Sequence, residues 1–119
     1  VARLLAVVDS NGLQSDDHHS RVCNLEPLAD RWRAFGWRVR EADGHDPAAL
    51  GEAFELPEAA TGAPTVVLAH TVKGRGVSFM EGSPPWHGSV RLSDEDLRRA
   101  LGELGAPPAE VERWLARDR

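Results

Sequence analysis

Cysteine is nearly absent from this 119-residue chain. The one thiol, Cys23, cannot close an internal disulfide, and with no second cysteine it is a poor framework for zinc. Positive charge is also short. Lys and Arg number 14 against 19 Asp and Glu, for a formal net charge of -5, so the chain as a whole has no attraction for nucleic acid or an anionic membrane surface. No run approaches the roughly 20 apolar residues that a membrane-spanning helix needs. The start shows no basic region ahead of an apolar signal core. These absences leave a cytoplasmic globular chain as the expectation. What is present is 41% hydrophobic residues, enough for one compact domain with a modest core. Val1 opens directly on an apolar run rather than a polar lead-in, so the sequence is expected to be cut from something larger.

Arg3 to Val8 (RLLAVV) is an apolar run closed by turn residues, which predicts a strand buried on both faces as in a parallel sheet. A long polar connection is expected from Asp9 to Asn24. Leu28, Ala29, Trp32 and Phe35 then recur at helical spacing, with Pro27 suited to a first turn and Gly36 to a left-handed C-terminal cap. Trp37 to Glu41 (WRVRE) alternates and predicts a strand near a sheet edge, since its arginines want water. Asp46 ahead of Pro47 predicts an N-cap for a helix turning Ala49, Leu50, Ala53 and Phe54 inward. Thr65 to Ala69 (TVVLA) is the most β-branched run and the third strand. Little pattern follows from Gly74 to Leu92. Ser93 with Asp96 approximates a capping box for a helix using Leu97, Ala100, Leu101 and Leu104. Pro107 or Pro108 opens a last helix with Val111, Trp114 and Leu115 on one face. This alternation predicts an α/β fold, a parallel sheet with flanking helices and right-handed crossovers.

In such sheets ligands sit beyond the carboxyl ends of the strands. Here those ends read Asp9-Ser10-Asn11-Gly12, Asp43-Gly44-His45-Asp46 and His70-Thr71-Val72-Lys73-Gly74. Asn11 offers an amide oxygen, and Gly12 lets the backbone turn so that a carbonyl near Leu13 can face the same point. Two hard oxygens suit Mg²⁺ or Ca²⁺ better than a transition metal, but they make only part of a shell, and a carboxylate has to come from elsewhere. The same residues also make a hydrogen-bonded turn that needs Asn and Gly for its dihedrals. Spacing alone puts that second reading first. Lys73 beside Gly74 and Gly76 sets an ammonium and backbone N–H groups where an anion can meet them. The lysine precedes the glycines, so this is not a P-loop, and a solvated turn is the plainer reading. His87, between Trp86 and Gly88, is a candidate proton carrier or an ordinary loop histidine. Asp16, Asp17, His18, His19 and Cys23 lack the paired spacings of zinc modules and read as a solvated loop.

Taken together, "VVDSNGLQ", "LEPLADRWRAFGW", "DGHDPAAL", "PTVVLAHTVKGRGVSFME" and "WHG" resemble, in order and spacing, the N-terminal, diphosphate-binding domain of transketolases. The likeness is greatest to the bacterial and archaeal kind split into separate N- and C-terminal chains, and it runs from about Val1 to Leu104. It implies that residues 1–105 are the C-terminal part of that domain and that 106–119 form a terminal helix packed on it. It implies thiamine diphosphate and a divalent metal, Mg²⁺ or Ca²⁺, as cofactors. Asn11 would give the metal its side-chain oxygen and Leu13 its backbone carbonyl. Lys73 would lie near the cofactor diphosphate. His87 would contact cofactor and sugar, as the candidate for proton transfer. Asp43 to Asp46 would be structural. The implied reaction moves a two-carbon ketol unit from a ketose to an aldose.

The departures are as informative. The family's Gly-Asp-Gly segment, whose Asp is the metal carboxylate, stands some thirty residues before the Asn and is not in this sequence. The pyrimidine-binding domain with its activating Glu is missing too. The resemblance therefore implies a hetero-oligomer, in which complementary transketolase chains supply both and the substrate is a sugar or sugar phosphate. Such a fragment would carry an exposed apolar sheet edge, with Trp32, Trp37, Trp86 and Trp114 as candidates for covering it. Two other readings stand beside this one. The chain is a catalytically silent transketolase-derived binding or scaffold module, or it belongs to another thiamine-diphosphate enzyme such as a deoxyxylulose-phosphate synthase, which fits "LEPLADRWRAFGW" less well.

Overall fold

The β-branched run before the histidine becomes the centre of the molecule's sheet. The computed structural model describes residues 4–55, 62–86, 88 and 90–116. Its three parallel strands, β1 (Leu5–Ser10), β4 (Arg38–Asp43) and β5 (Thr65–His70), lie in the order β1-β5-β4. Between β1 and β4 come a two-residue hairpin, β2 (Leu13–Gln14) with β3 (Asp17–His18), then α1 (His19–Val22) and α2 (Leu28–Ala34). The helix α3 (Pro47–Phe54) connects β4 to β5. The α/β class and the parallel sheet are as the alternation predicts. The connection expected to be a plain polar loop instead contains β2, β3 and α1. The register runs Ser10↔His70 and Asp43↔His70 at the last row, so all three strands finish level.

By Cα packing the chain forms two compact units, Val1–Thr71 and Val72–Arg119. In the first, β5 is dry: Val66 and Val67 are 0% exposed and Leu68 2%. Burying each such side chain stabilises a fold by roughly 1.5–3 kcal/mol. The expected burial of the first strand on both faces is not observed, because β1 is an edge strand and Val7 is 52% exposed. β4, expected near an edge, does lie at one. Arg38 is exposed as expected, and Arg40 departs from the expectation. Arg40 is half-buried, and its Nη1 donates to the carbonyls of Glu52, Ala53 and Glu55 at 3.1, 3.1 and 2.6 Å, satisfying the open end of α3. The other end is closed by Asp46, whose carboxylate accepts from the N–H of Ala48 and Ala49, as the Asp-Pro pair predicts. Phe35, expected inward, is 82% exposed, since α2 stops at Ala34 and the chain reverses at Gly36 with φ +78°. Trp32 and Trp37 pack edge to face instead. Phe54, expected inward, is 40% exposed.

The second unit holds a turn-rich loop, one 3-10 turn at Pro84–Trp86, α4 (Asp94–Glu103) and α5 (Pro108–Leu115). Ser93 and Asp96 form the reciprocal capping box. Ala100, Val111 and Leu115 are buried, and Arg98 joins α4 to α5 through Glu112 at 2.9 Å. Leu104 and Trp114, expected on the inner faces, are exposed.

Candidate functional site

The carboxyl end of β1 is organised by its own side chains. Asp9 accepts a hydrogen bond from the Thr71 hydroxyl on one oxygen and a long one, 3.5 Å, from Asn11 Nδ2 on the other. That orients the Asn11 amide so that Oδ1 accepts from Leu13 N–H at 2.9 Å, while Gly12 turns through φ +74°. The hydrogen-bonded turn is real.

The hairpin register shows that the turn does not exhaust these oxygens. His19 N–H donates to Gly12 C=O at 3.0 Å, so Gly12 and His19 are a hydrogen-bonded pair and the next pair, Leu13 with His18, is not. The Leu13 carbonyl therefore points away from β3. It takes the same edge as the Leu13 N–H, which is the edge holding Asn11 Oδ1. An amide oxygen has two lone pairs, and one remains on Oδ1. Asn11 and Leu13 thus present two neutral oxygens toward one side, a donor set that fits part of the shell of a hard divalent cation. Beside them a pocket of about 100 Å³ is lined by Asp9, Asn11, Leu13, His19 and Glu26 among others.

The remaining polar groups separate into two kinds. Some are engaged locally. Asp43 accepts from His45 N–H at 2.8 Å and Asp46 caps α3, which is the structural part expected of that segment. Asp17 accepts from His18 N–H and from Arg21, and these bonds, the backbone one foremost, hold its carboxyl below the usual carboxylate range. Among the described residues no group of three or more His, Cys, Asp or Glu is arranged to hold a metal ion. Others face outward at the strand ends. His70 Nε2 lies 2.9 Å from Glu41 Oε2 across neighbouring strands. The sequence does not reveal this pairing or the place of Glu26 at the pocket, and His19, which reads as part of a solvated loop, also lines it. Only the register and the hairpin bring them into place, and no spacing signals either.

Lys73 belongs to the second unit, three residues beyond the end of β5. It is half-buried, its carbonyl accepts from Gly82 N–H at 2.9 Å, and its ammonium has no protein partner among the described residues. A cation held in a Gly-rich turn without a carboxylate is available to an external anion. Gly74, with φ +74°, permits the turn, since a Cβ there would meet Met80 O at 2.7 Å. His87 lies outside the described residues.

A parallel sheet with polar groups at the carboxyl ends of its strands is the kind of framework on which α/β domains bind ligands. Residues 1–113 match the family model described as "Transketolase, thiamine diphosphate binding domain", and the chain belongs to that family. It is 41% identical over 85% of its length to the 6-deoxy-6-sulfo-D-fructose transketolase subunit of Clostridium sp., covering 36% of that protein. It is 37% identical over 92% of its length to an apulose-4-phosphate transketolase subunit from Phocaeicola vulgatus, covering 39% of that one. The structure of transketolase from Campylobacter jejuni superposes with a TM-score of 0.73 at 26% identity, over 92% of this chain and 18% of that one. The chain thus spans well under half the length of these relatives. Among the described residues no helix is long and apolar enough to cross a membrane.

Proposed function

We propose that this chain is part of a cytoplasmic transketolase-like enzyme, dependent on thiamine diphosphate and on Mg²⁺ or Ca²⁺, that transfers a two-carbon ketol unit from a ketose to an aldose. The observation that carries the reading is the shared edge on which Asn11 Oδ1 and the Leu13 carbonyl stand. In this reading they hold the metal, Lys73 meets the cofactor diphosphate, and His87 exchanges a proton with the sugar. Thiamine diphosphate, when bound, supplies the electron sink that ketol transfer requires. The chain's own share is binding, orientation and proton handling. Residues 1–105 serve as the C-terminal part of the diphosphate-binding domain and 106–119 as its terminal helix.

Two oxygens do not complete a shell, so in this reading the metal carboxylate comes from residues outside this sequence, and partner chains supply the pyrimidine-binding domain. The open, partly apolar edge of β1, with Leu4 and Val7 exposed, supports a hetero-oligomer, because parallel sheets are ordinarily covered on both faces. The relatives named as subunits support it as well. The test is native mass spectrometry of a tagged copy purified from its host, followed by metal-dependent titration with thiamine diphosphate. Co-purifying chains, a cofactor mass and weakened binding in Asn11→Ala support the enzyme reading. A lone, cofactor-free species indicates the silent binding module.

A further inference from the structure

The segment that carries Lys73 is held from outside itself, by two charged residues of α4. Ser78, five residues on from Lys73, donates both its backbone N–H and its hydroxyl to the Glu103 carboxylate, the hydroxyl at 2.8 Å. Arg99, one helical turn before Glu103, donates Nε to the same carboxylate at 3.0 Å and Nη2 to Ser78 Oγ at 2.8 Å. Its guanidinium also lies over the Phe79 ring at 4.8 Å, and Phe79 meets Trp86 edge to face at 5.2 Å. Ser78, Glu103 and Arg99 therefore form a closed three-membered network, reinforced by a cation–π contact. Glu103 is held below the ordinary carboxylate range by the Ser78 N–H first, and then by the Ser78 hydroxyl and Arg99.

The loop transmits this constraint to Lys73. Gly82 N–H donates to Lys73 C=O at 2.9 Å and closes the loop at its base. Within it, Val77 N–H donates to Gly74 C=O, Met80 and Glu81 N–H to Val77 C=O, and the Glu81 carboxylate accepts from Gly76 N–H. Val77 is buried and Gly74 sits against Met80 with no room for a Cβ. Glu81, the carboxylate of this segment, is turned inward to the Gly76 N–H. Among the described residues the lysine ammonium is left without an acceptor. A loop of this size held only by its own turns would sample many positions of Lys73, and each would dilute its meeting with an anion.

We infer that Arg99 and Glu103 are positioning residues for anion binding by Lys73, fixing the Ser78–Phe79 corner so that the ammonium is pre-set for a diphosphate. This rests on the proposed role of Lys73 and assigns two residues that no strand-end motif contains. The experiment is a double-mutant cycle on the chain assembled with its co-purifying partners, reading the thiamine diphosphate Kd by tryptophan fluorescence at fixed Mg²⁺, with thermal melts alongside. Arg99→Gln weakens binding about tenfold in the native background and less than about twofold when Lys73 is already Ala, because coupled residues are non-additive. Arg99→Lys, which keeps the charge over Phe79 but not the fork to Glu103 and Ser78, recovers only part of the loss. Glu103→Gln behaves like Arg99→Gln. Equal losses from Arg99→Gln in the two backgrounds, or a melt lowered in proportion to the loss of affinity, overturn the inference, since either result marks a generally structural residue. Unchanged binding in Arg99→Gln while Lys73→Ala is impaired overturns it too and leaves the proposed function standing. Unchanged binding in Lys73→Ala removes both. If Arg99→Gln fails to fold, Arg99→Lys carries the same cycle with a smaller expected loss of about threefold.

Discussion

β1 and β5 read almost alike, one as LAVVDS and the other as TVVLAH, and they run side by side in register over six residues. Yet β5 is buried from Thr65 to Ala69 while β1 alternates, with Val7 half out of the protein. Composition therefore does not decide burial here. Position in the sheet does: β5 has a strand on each side, and β1 has one on one side only. An apolar residue left at an edge is stabilising only once something covers it. The difference between the strands separates what this chain buries by itself from what it leaves uncovered.

The sharpest way to break that comparison is to truncate one apolar residue in each strand. Leu68→Ala is expected to cost about 2–5 kcal/mol through lost burial and a residual cavity, read by urea denaturation followed by circular dichroism. Val7→Ala is expected to stay within about 0.5 kcal/mol in the same assay. Similar costs at both sites would show that β1 is covered within the chain. Val7→Lys carries the contrast to the assembly: the chain's own melt stays put while association with the partner chains weakens at least about tenfold, roughly 1.4 kcal/mol, by size-exclusion chromatography with light scattering. Unchanged association would move the partner surface away from this edge. Smaller again is the end of the helix that joins β4 to β5. Asp46→Ala removes the acceptor for two N–H groups and is expected to cost about 1 kcal/mol, with Asp46→Asn close to neutral.

What was legible in the sequence was local. Asp46-Pro47, Ser93 with Asp96 and the β-branched run at Thr65 act over three or four residues, and each formed as its chemistry predicts. What was not legible depends on partners distant in the chain. Nothing in "RLLAVV" says which edge of the sheet it takes. Arg40 reads as a solvent residue until the end of α3 is seen above it. Phe35 completes a helical stripe in the sequence, but the helix ends one residue too soon to turn it inward. The site divides in the same way. Asn11 and Gly12 suggest both a turn and an oxygen donor; the turn is observed, and the hairpin register leaves the donor role open to the proposed function. Leu13 as a carbonyl donor, Lys73 and His87 came from the family resemblance, and the pairing of His70 with Glu41 needed the strand register.

The smallest expected effect concerns pH and again sets a dry strand against a wet region. Among the described residues Thr65 is the one buried polar side chain, so β5 contributes no buried ionisable group. Acid sensitivity should instead arise at exposed networks such as that of Glu103. Its bonds to Ser78 and Arg99 stabilise the ionised form and hold its folded pKa below the ordinary 4.5. A depressed carboxylate contributes stability that is complete above the unfolded value and is lost as pH falls through the folded one. Stability should therefore decline below about pH 4.5, and Glu103→Gln should flatten that part of the profile while leaving the Leu68→Ala deficit the same at pH 7 and pH 4. The fluorescence of Trp86, which packs on Phe79 beside this network, gives the readout. A Leu68→Ala deficit that varied with pH would show that the interior strand is electrostatically coupled to the surface, and the separation between the two regions would not hold.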